Sequence, residues 1–185
     1  MIQQQSTLTV EEFLKLPETK PACELIDGEV IPKMSPKGFH AAVQAALLIL
    51  IQSAYRDKGR IYPEWGIRLK RHGNDWVPVP DLTYISFDRL PSDWLQDEPC
   101  PIAPELTIEI ISPGQAFSDL VEKATDYLNA GVSQAWIADT HAQAISVFYY
   151  NLPPITFRNN NKIFPSILPE LELTPNQIFQ LAGLP

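Results

Sequence analysis

Cysteine is nearly missing from this chain: Cys23 and Cys100 stand far apart, in neither a CxxC nor a Cys/His spacing. That argues against a disulfide framework and a cysteine zinc site, and it fits a reducing cytosol, so a cytoplasmic location is expected. The three histidines, His40, His72 and His141, are scattered. No HExxH, glycine-rich phosphate loop or GxSxG elbow occurs, which removes zincin, P-loop and serine-hydrolase chemistry. The start of the chain has no basic stretch followed by an apolar one, so no signal peptide is visible. The longest apolar run, residues 41–51, falls short of the roughly 20 residues that span a bilayer, and Gln44 interrupts it. A buried helix is expected there and no membrane partner. Cations are short too: 14 Lys and Arg against 22 Asp and Glu leave a net charge of −8. That argues against gripping nucleic acid by bulk electrostatics. It does not exclude a nuclease, whose metal ions can offset carboxylates where the phosphate sits.

What is present describes an ordinary globule. Apolar residues make up 45% of the chain and charged ones 19%, and 185 residues fit one domain spanning 1–185. Thr9-Val10-Glu11-Glu12 has the capping-box form and opens a short helix that Pro17 stops. Asp27-Gly28 between apolar and β-branched residues predicts a hairpin of strands near 22–26 and 29–33. After the break at Ser35-Pro36-Lys37-Gly38, a helix is predicted over 38–56, with Val43, Leu47, Leu50 and Ala54 at helical spacing. Strands follow over 60–70 and 76–85, and a proline-rich loop over 86–104. A central strand is expected at Glu105–Ile111 and a helix from Ser118 to the stop at Gly131. Strands over 134–139 and 144–150, one or two edge strands around an Asn159–Asn161 turn, and a helix from Thr174-Pro175 complete a mixed α/β core with additions at both ends.

The chemistry rests on carboxylates. Asp81 follows Pro80 in an apolar strand, and Glu109 sits inside Glu105–Ile111 among apolar neighbours, where an ionised carboxylate is costly unless paired or bound to a cation. Two carboxylates on adjacent strands can hold Mg²⁺, which takes oxygen ligands and keeps waters for a substrate phosphate. The plainer alternative has them cap turns or pair with Arg68 and Lys70. On a helical wheel, Leu120, Val121, Ala124, Tyr127 and Leu128 form an apolar arc, and Lys123 falls at its border beside Tyr127. From there its stem can run along the sheet and deliver the ammonium to the strand ends. The alternative for Lys123 is a surface i,i+4 pair with Asp119.

Proline–aspartate on one strand, Glu109 on the next and Lys123 on the following helix resemble the PD-(D/E)xK nuclease superfamily. More narrowly, the chain looks like a large bacterial family of restriction-endonuclease-like proteins. The resemblance runs from about Glu24 to Asp139. It includes E-L-I-D-G-E at 24–29, His40, V-P-D-L at 79–82, P-E-L-T-I-E-I-I-S-P at 104–113, D-L-V-E-K-A-T-D-Y at 119–127 and W-I-A-D at 136–139. The superfamily places lysine two positions after the glutamate, which is Ile111 here; the resemblance implies that the lysine has migrated to the helix as Lys123.

The resemblance implies a restriction-endonuclease-like fold and a Mg²⁺- or Mn²⁺-dependent endonuclease acting on DNA. Asp81, Glu109 and Lys123 form its catalytic core, Glu24 is a third metal carboxylate, His40 is an accessory group, and the assembly is a homodimer. Two rivals stay open. One is a nuclease-fold DNA-binding or assembly module without turnover; the other is a metal-dependent hydrolase of a small phosphorylated molecule.

Overall fold

The computed structural model describes residues 7–163 and 166–184; the first six residues, part of the segment read for a leader peptide, lie outside them. In chain order the elements are α1 (Val10–Phe13), β1 (Cys23–Ile26), β2 (Glu29–Pro32), α2 (Gly38–Tyr55), β3 (Gly59–Pro63), β4 (Leu69–Arg71), β5 (Asn74–Val77), β6 (Leu82–Ser86), β7 (Leu106–Ile110), α3 (Phe117–Asn129), β8 (Gln134–Asp139), β9 (Ala144–Tyr149), β10 (Leu152–Arg158) and α4 (Pro175–Leu181). The capping box at Thr9 forms as expected, and Thr174 carries a second one. The hairpin turn is set by Asp27 and Gly28, with φ of 51° and 83°. Positive φ at both central residues matches the right-handed twist of the strands. Gly28 is needed twice over, since a Cβ there would meet the Thr7 side chain at 2.4 Å.

The strands form two sheets, and the larger is the expected mixed sheet. A four-stranded sheet runs β2-β1-β5-β4, and a six-stranded sheet runs β10-β9-β8-β7-β6-β3. Among the strands of the described residues only β7 and β8 pair in parallel, and α3 supplies the crossover that a parallel pair needs. Two expected strands are each cut in half. The 60–70 segment turns at Glu64, whose φ is 50°, so β3 joins the large sheet and β4 the small one. The 76–85 segment breaks at Pro78 and Pro80, which have no N–H for a ladder, and it likewise passes from β5 to β6. Asp81 sits at that passage, just before β6.

Alternation along the central strands divides the large sheet's two faces. Leu106, Ile108 and Ile110 of β7 join Val43, Leu47 and Ile51 of α2 and Ile178 and Phe179 of α4 in one core. The other face packs Ile85, Ala135 and Ile137 against Leu120, Ala124 and Tyr127 of α3 and against Trp76 of the small sheet. By length and composition α2 could cross a membrane, yet its Val43, Ala46, Leu47 and Ile51 are buried against the sheet. Glu109 lies on the α3 face, the one carboxylate in a strand otherwise made of Leu, Thr and Ile.

Candidate active site

The strand breaks that split the two sheets also collect the polar groups. Asp81 is 3% exposed. Its Oδ2 accepts from the Ile110 amide at 2.7 Å and from His40 Nε2 at 3.0 Å. Its Oδ1 accepts from Lys33 Nζ at 2.9 Å. Burial alone would push this carboxyl up, but the His40 hydrogen bond and the Lys33 charge overcome it and hold the group at about 2. Asp81 is therefore an anion at neutral pH. A carboxylate only accepts, so His40 Nε2 carries the proton of their bond; the buried Nδ1 has no partner among the described residues.

Glu109 is held from the other side. Lys123 Nζ lies 2.9 Å from its Oε1, and the Tyr127 hydroxyl donates to the same oxygen at 2.7 Å. Lys123 also reaches Glu24 Oε1 at 2.7 Å, which accepts the Val79 amide at 2.8 Å. Burial raises Glu109 above its usual range, with Lys123 working against it. Burial works to lower Lys123, but Glu109 and Glu24 outweigh it and raise the ammonium above its usual value, so it stays charged. In this state Lys123 can orient a water or stabilise negative charge, but it has no free lone pair with which to take a proton.

Glu24, His40, Asp81, Glu109 and Lys123, all singled out in the sequence, thus form one linked cluster. The plainer pairings do not form: Arg68 lies near Glu11 at 3.7 Å, Lys70 bonds Asp75, and Lys123 turns inward, away from Asp119. Four further groups join the cluster. Tyr127 had been visible only as the neighbour of Lys123 on the helical wheel. Lys33, just past the end of β2, bridges Asp81 and Glu64 Oε2, the second at 3.0 Å. Glu64 donates its amide to the Asp81 carbonyl at 3.3 Å. Gln44 bonds that same carbonyl at 2.8 Å and Glu64 Oε1 at 3.3 Å. A signal for Lys33 did exist: it continues the hairpin arm opposite Glu24, in a stretch, I-P-K-M, otherwise apolar or proline. Glu64 had none, because its place depends on a corner between two sheets.

The donor set is all oxygen and suits a hard cation such as Mg²⁺ rather than zinc. Glu24, Glu64, Asp81 and Glu109, balanced by Lys33 and Lys123, leave two formal negative charges unmatched, the charge of one divalent ion. Among the described residues no three His, Cys, Asp or Glu side chains close into a metal cage. Mg²⁺ does not require one, since it usually takes one or two carboxylates plus waters and substrate oxygens.

Comparison with known proteins follows the same line. Residues 10–176 match the model of the family described as "Uma2: Putative restriction endonuclease". Among solved structures, the chain is similar to one described as "a putative nuclease belonging to DUF820" from Anabaena variabilis. The TM-score is 0.83 at 30% identity, covering 95% of this chain and 99% of that one. No curated protein matches the chain.

Proposed function

The chain belongs to the Uma2 family of restriction-endonuclease-like proteins, and on that premise we propose that it is a Mg²⁺-dependent endonuclease hydrolysing DNA phosphodiester bonds. The observation that carries this reading is the linkage of Asp81, Glu109, Lys123 and Glu24 at the passage between the two sheets. Asp81 and Glu109 would hold the metal, with Glu24 assisting; Mn²⁺ would serve in its place. When bound, the ion supplies activation of a water and neutralisation of phosphate charge.

The chain's own residues do the rest. Lys123, fully charged, holds the attacking water or a phosphoryl oxygen by its ammonium and stabilises charge that builds up in the transition state. Tyr127 and Val79 fix the carboxylates that position Lys123, the first through Glu109 and the second through Glu24. His40 and the Ile110 amide anchor one oxygen of Asp81 and leave the other toward Lys33. Cleavage of both strands of a duplex favours two sites about a two-fold axis. The edge of β10, unpaired among the described residues and with Leu152 and Ile155 exposed, is an apolar margin that a second copy would cover.

One observation favours the rival module without turnover: Lys33, Lys123 and His40 already occupy oxygens of the carboxylates that would bind metal. A nicking assay on supercoiled plasmid with Mg²⁺ or Mn²⁺ decides between them. Glu109→Gln, which keeps the shape and removes one charge from the metal seat, should abolish metal-dependent cleavage. Wild-type protein that cleaves neither DNA nor RNA with either ion would make the non-catalytic module the better reading.

A further inference from the structure

Lys33 belongs to neither catalytic strand nor the catalytic helix. It follows β2, where its own amide donates to the Ala22 carbonyl at 2.8 Å, and its side chain crosses from the small sheet to Asp81. Its side chain is 12% exposed, and its ammonium touches two carboxylates, Asp81 Oδ1 at 2.9 Å and Glu64 Oε2 at 3.0 Å.

The two oxygens of Asp81 are treated differently. Oδ2 is taken by a backbone amide and by a buried imidazole, donors that cannot move far. Oδ1 has only Lys33 among the described residues, a point charge on a flexible four-carbon stem. A cation binding Asp81 has to approach Oδ1, so it meets the ammonium there. Glu64 gives the lysine somewhere to stay: its side chain is 41% exposed, and a Lys33 displaced from Asp81 keeps that second pairing.

We propose that Lys33 is a resident counter-cation, whose ammonium fills the cation seat on Asp81 in the metal-free protein and must be displaced toward Glu64 before a divalent ion can bind. It rests on the metal-dependent reading above and adds a property to it: the protein sets its own threshold for metal loading. Lys123 differs in place: it sits on Glu24 and Glu109 from the helix side, whereas Lys33 stands on Asp81.

The test is Mn²⁺ affinity, measured without DNA by calorimetry or by the free-ion EPR signal, on the full chain. Lys33→Met should bind Mn²⁺ about tenfold or more tightly than wild type, within the range usual for coupled sites. Lys33→Arg, which keeps the charge, should not gain affinity. A site merely stabilised by a lysine ion pair would respond the other way, since loss of the pair loosens Asp81. If Lys33→Met fails to fold, Lys33→Gln removes the charge, retains a donor and should show the same gain. Binding by the neutral variant where wild type shows none supports the proposal. Equal or weaker affinity in the neutral variants overturns it and leaves the nuclease reading standing. No Mn²⁺ binding by any of the proteins overturns both.

Discussion

Replacing Lys123 with methionine separates two accounts of that residue by a wide margin. Lys123 lies 2.7 and 2.9 Å from Glu24 and Glu109, with side-chain exposures of 19%, 8% and 6% respectively. Methionine keeps the packed stem and deletes the charge, leaving two buried carboxylates without their cation. Removing one partner of a buried pair costs roughly 3–5 kcal/mol. We expect the lower end, about 3 kcal/mol, because Glu109 is already raised by burial and can take a proton instead. With a urea slope of about 2 kcal/mol per molar, the unfolding midpoint should fall by about 1.5 M at unchanged slope. Adding Glu109→Gln to the variant should recover part of that loss, since the buried charge is then gone as well. A surface lysine paired only with Asp119 would cost about 0.5 kcal/mol or less. Cleavage should drop about 10²–10³-fold, as when one charge-stabilising group is lost. A midpoint within about 0.3 M of wild type, together with unchanged cleavage, would refute the reasoning.

Asp81 should show itself in acid. Its native-state value of about 2 lies below the ordinary 3.8, so its contribution is present above about pH 4 and is lost as pH falls toward 2; Asp81→Asn should flatten that part of the stability curve. Glu109, raised by burial, has the opposite sign, favouring the fold below its ordinary 4.5 and fading as pH rises. Mn²⁺ or Mg²⁺ should raise the melting temperature of wild type and not of Asp81→Asn; equal shifts would remove Asp81 from the metal site. Light scattering should give twice the 20.8 kDa chain mass, and a strictly monomeric mass at working concentration would refute the dimer. At least nine of the 14 Lys and Arg residues are already in ion pairs. The log–log salt slope of DNA binding should therefore be shallow, at a magnitude of about 4.5 or less, with about 0.9 per phosphate neutralised; fluorescence anisotropy at several salt concentrations measures it.

Local chemistry made most elements readable in advance. The Asp27-Gly28 turn, the two threonine caps and the β-branched run at 106–110 each state their own geometry, and the helices at 38–55 and 117–129 follow from period and stop signals. What stayed hidden was where strands change sheet. The 60–70 and 76–85 segments read as continuous because apolar residues run through them. Only pairing partners far along the chain, β6 for β3 and β1 for β5, decide where each ladder ends. The prolines at 78 and 80 were the visible hint, and they mark the passage that delivers Asp81.

The site followed the same division. Asp81 and Glu109 were conspicuous because a carboxylate among apolar residues demands a partner, and Lys123 because it stood at the edge of an apolar arc. Their partners were harder to read: Glu24 and Lys33 arrive from the hairpin with only weak local signals, and Glu64 from the β3–β4 corner with none. The consequence is electrostatic. Read residue by residue, the net charge of −8 tells against a phosphate substrate. Read as a cluster, four carboxylates and two ammoniums leave a local excess that one divalent cation cancels. On the proposed reading, that excess is what a metal ion would meet, and the phosphate would be attracted to the metal and the two lysines rather than to the protein's bulk charge.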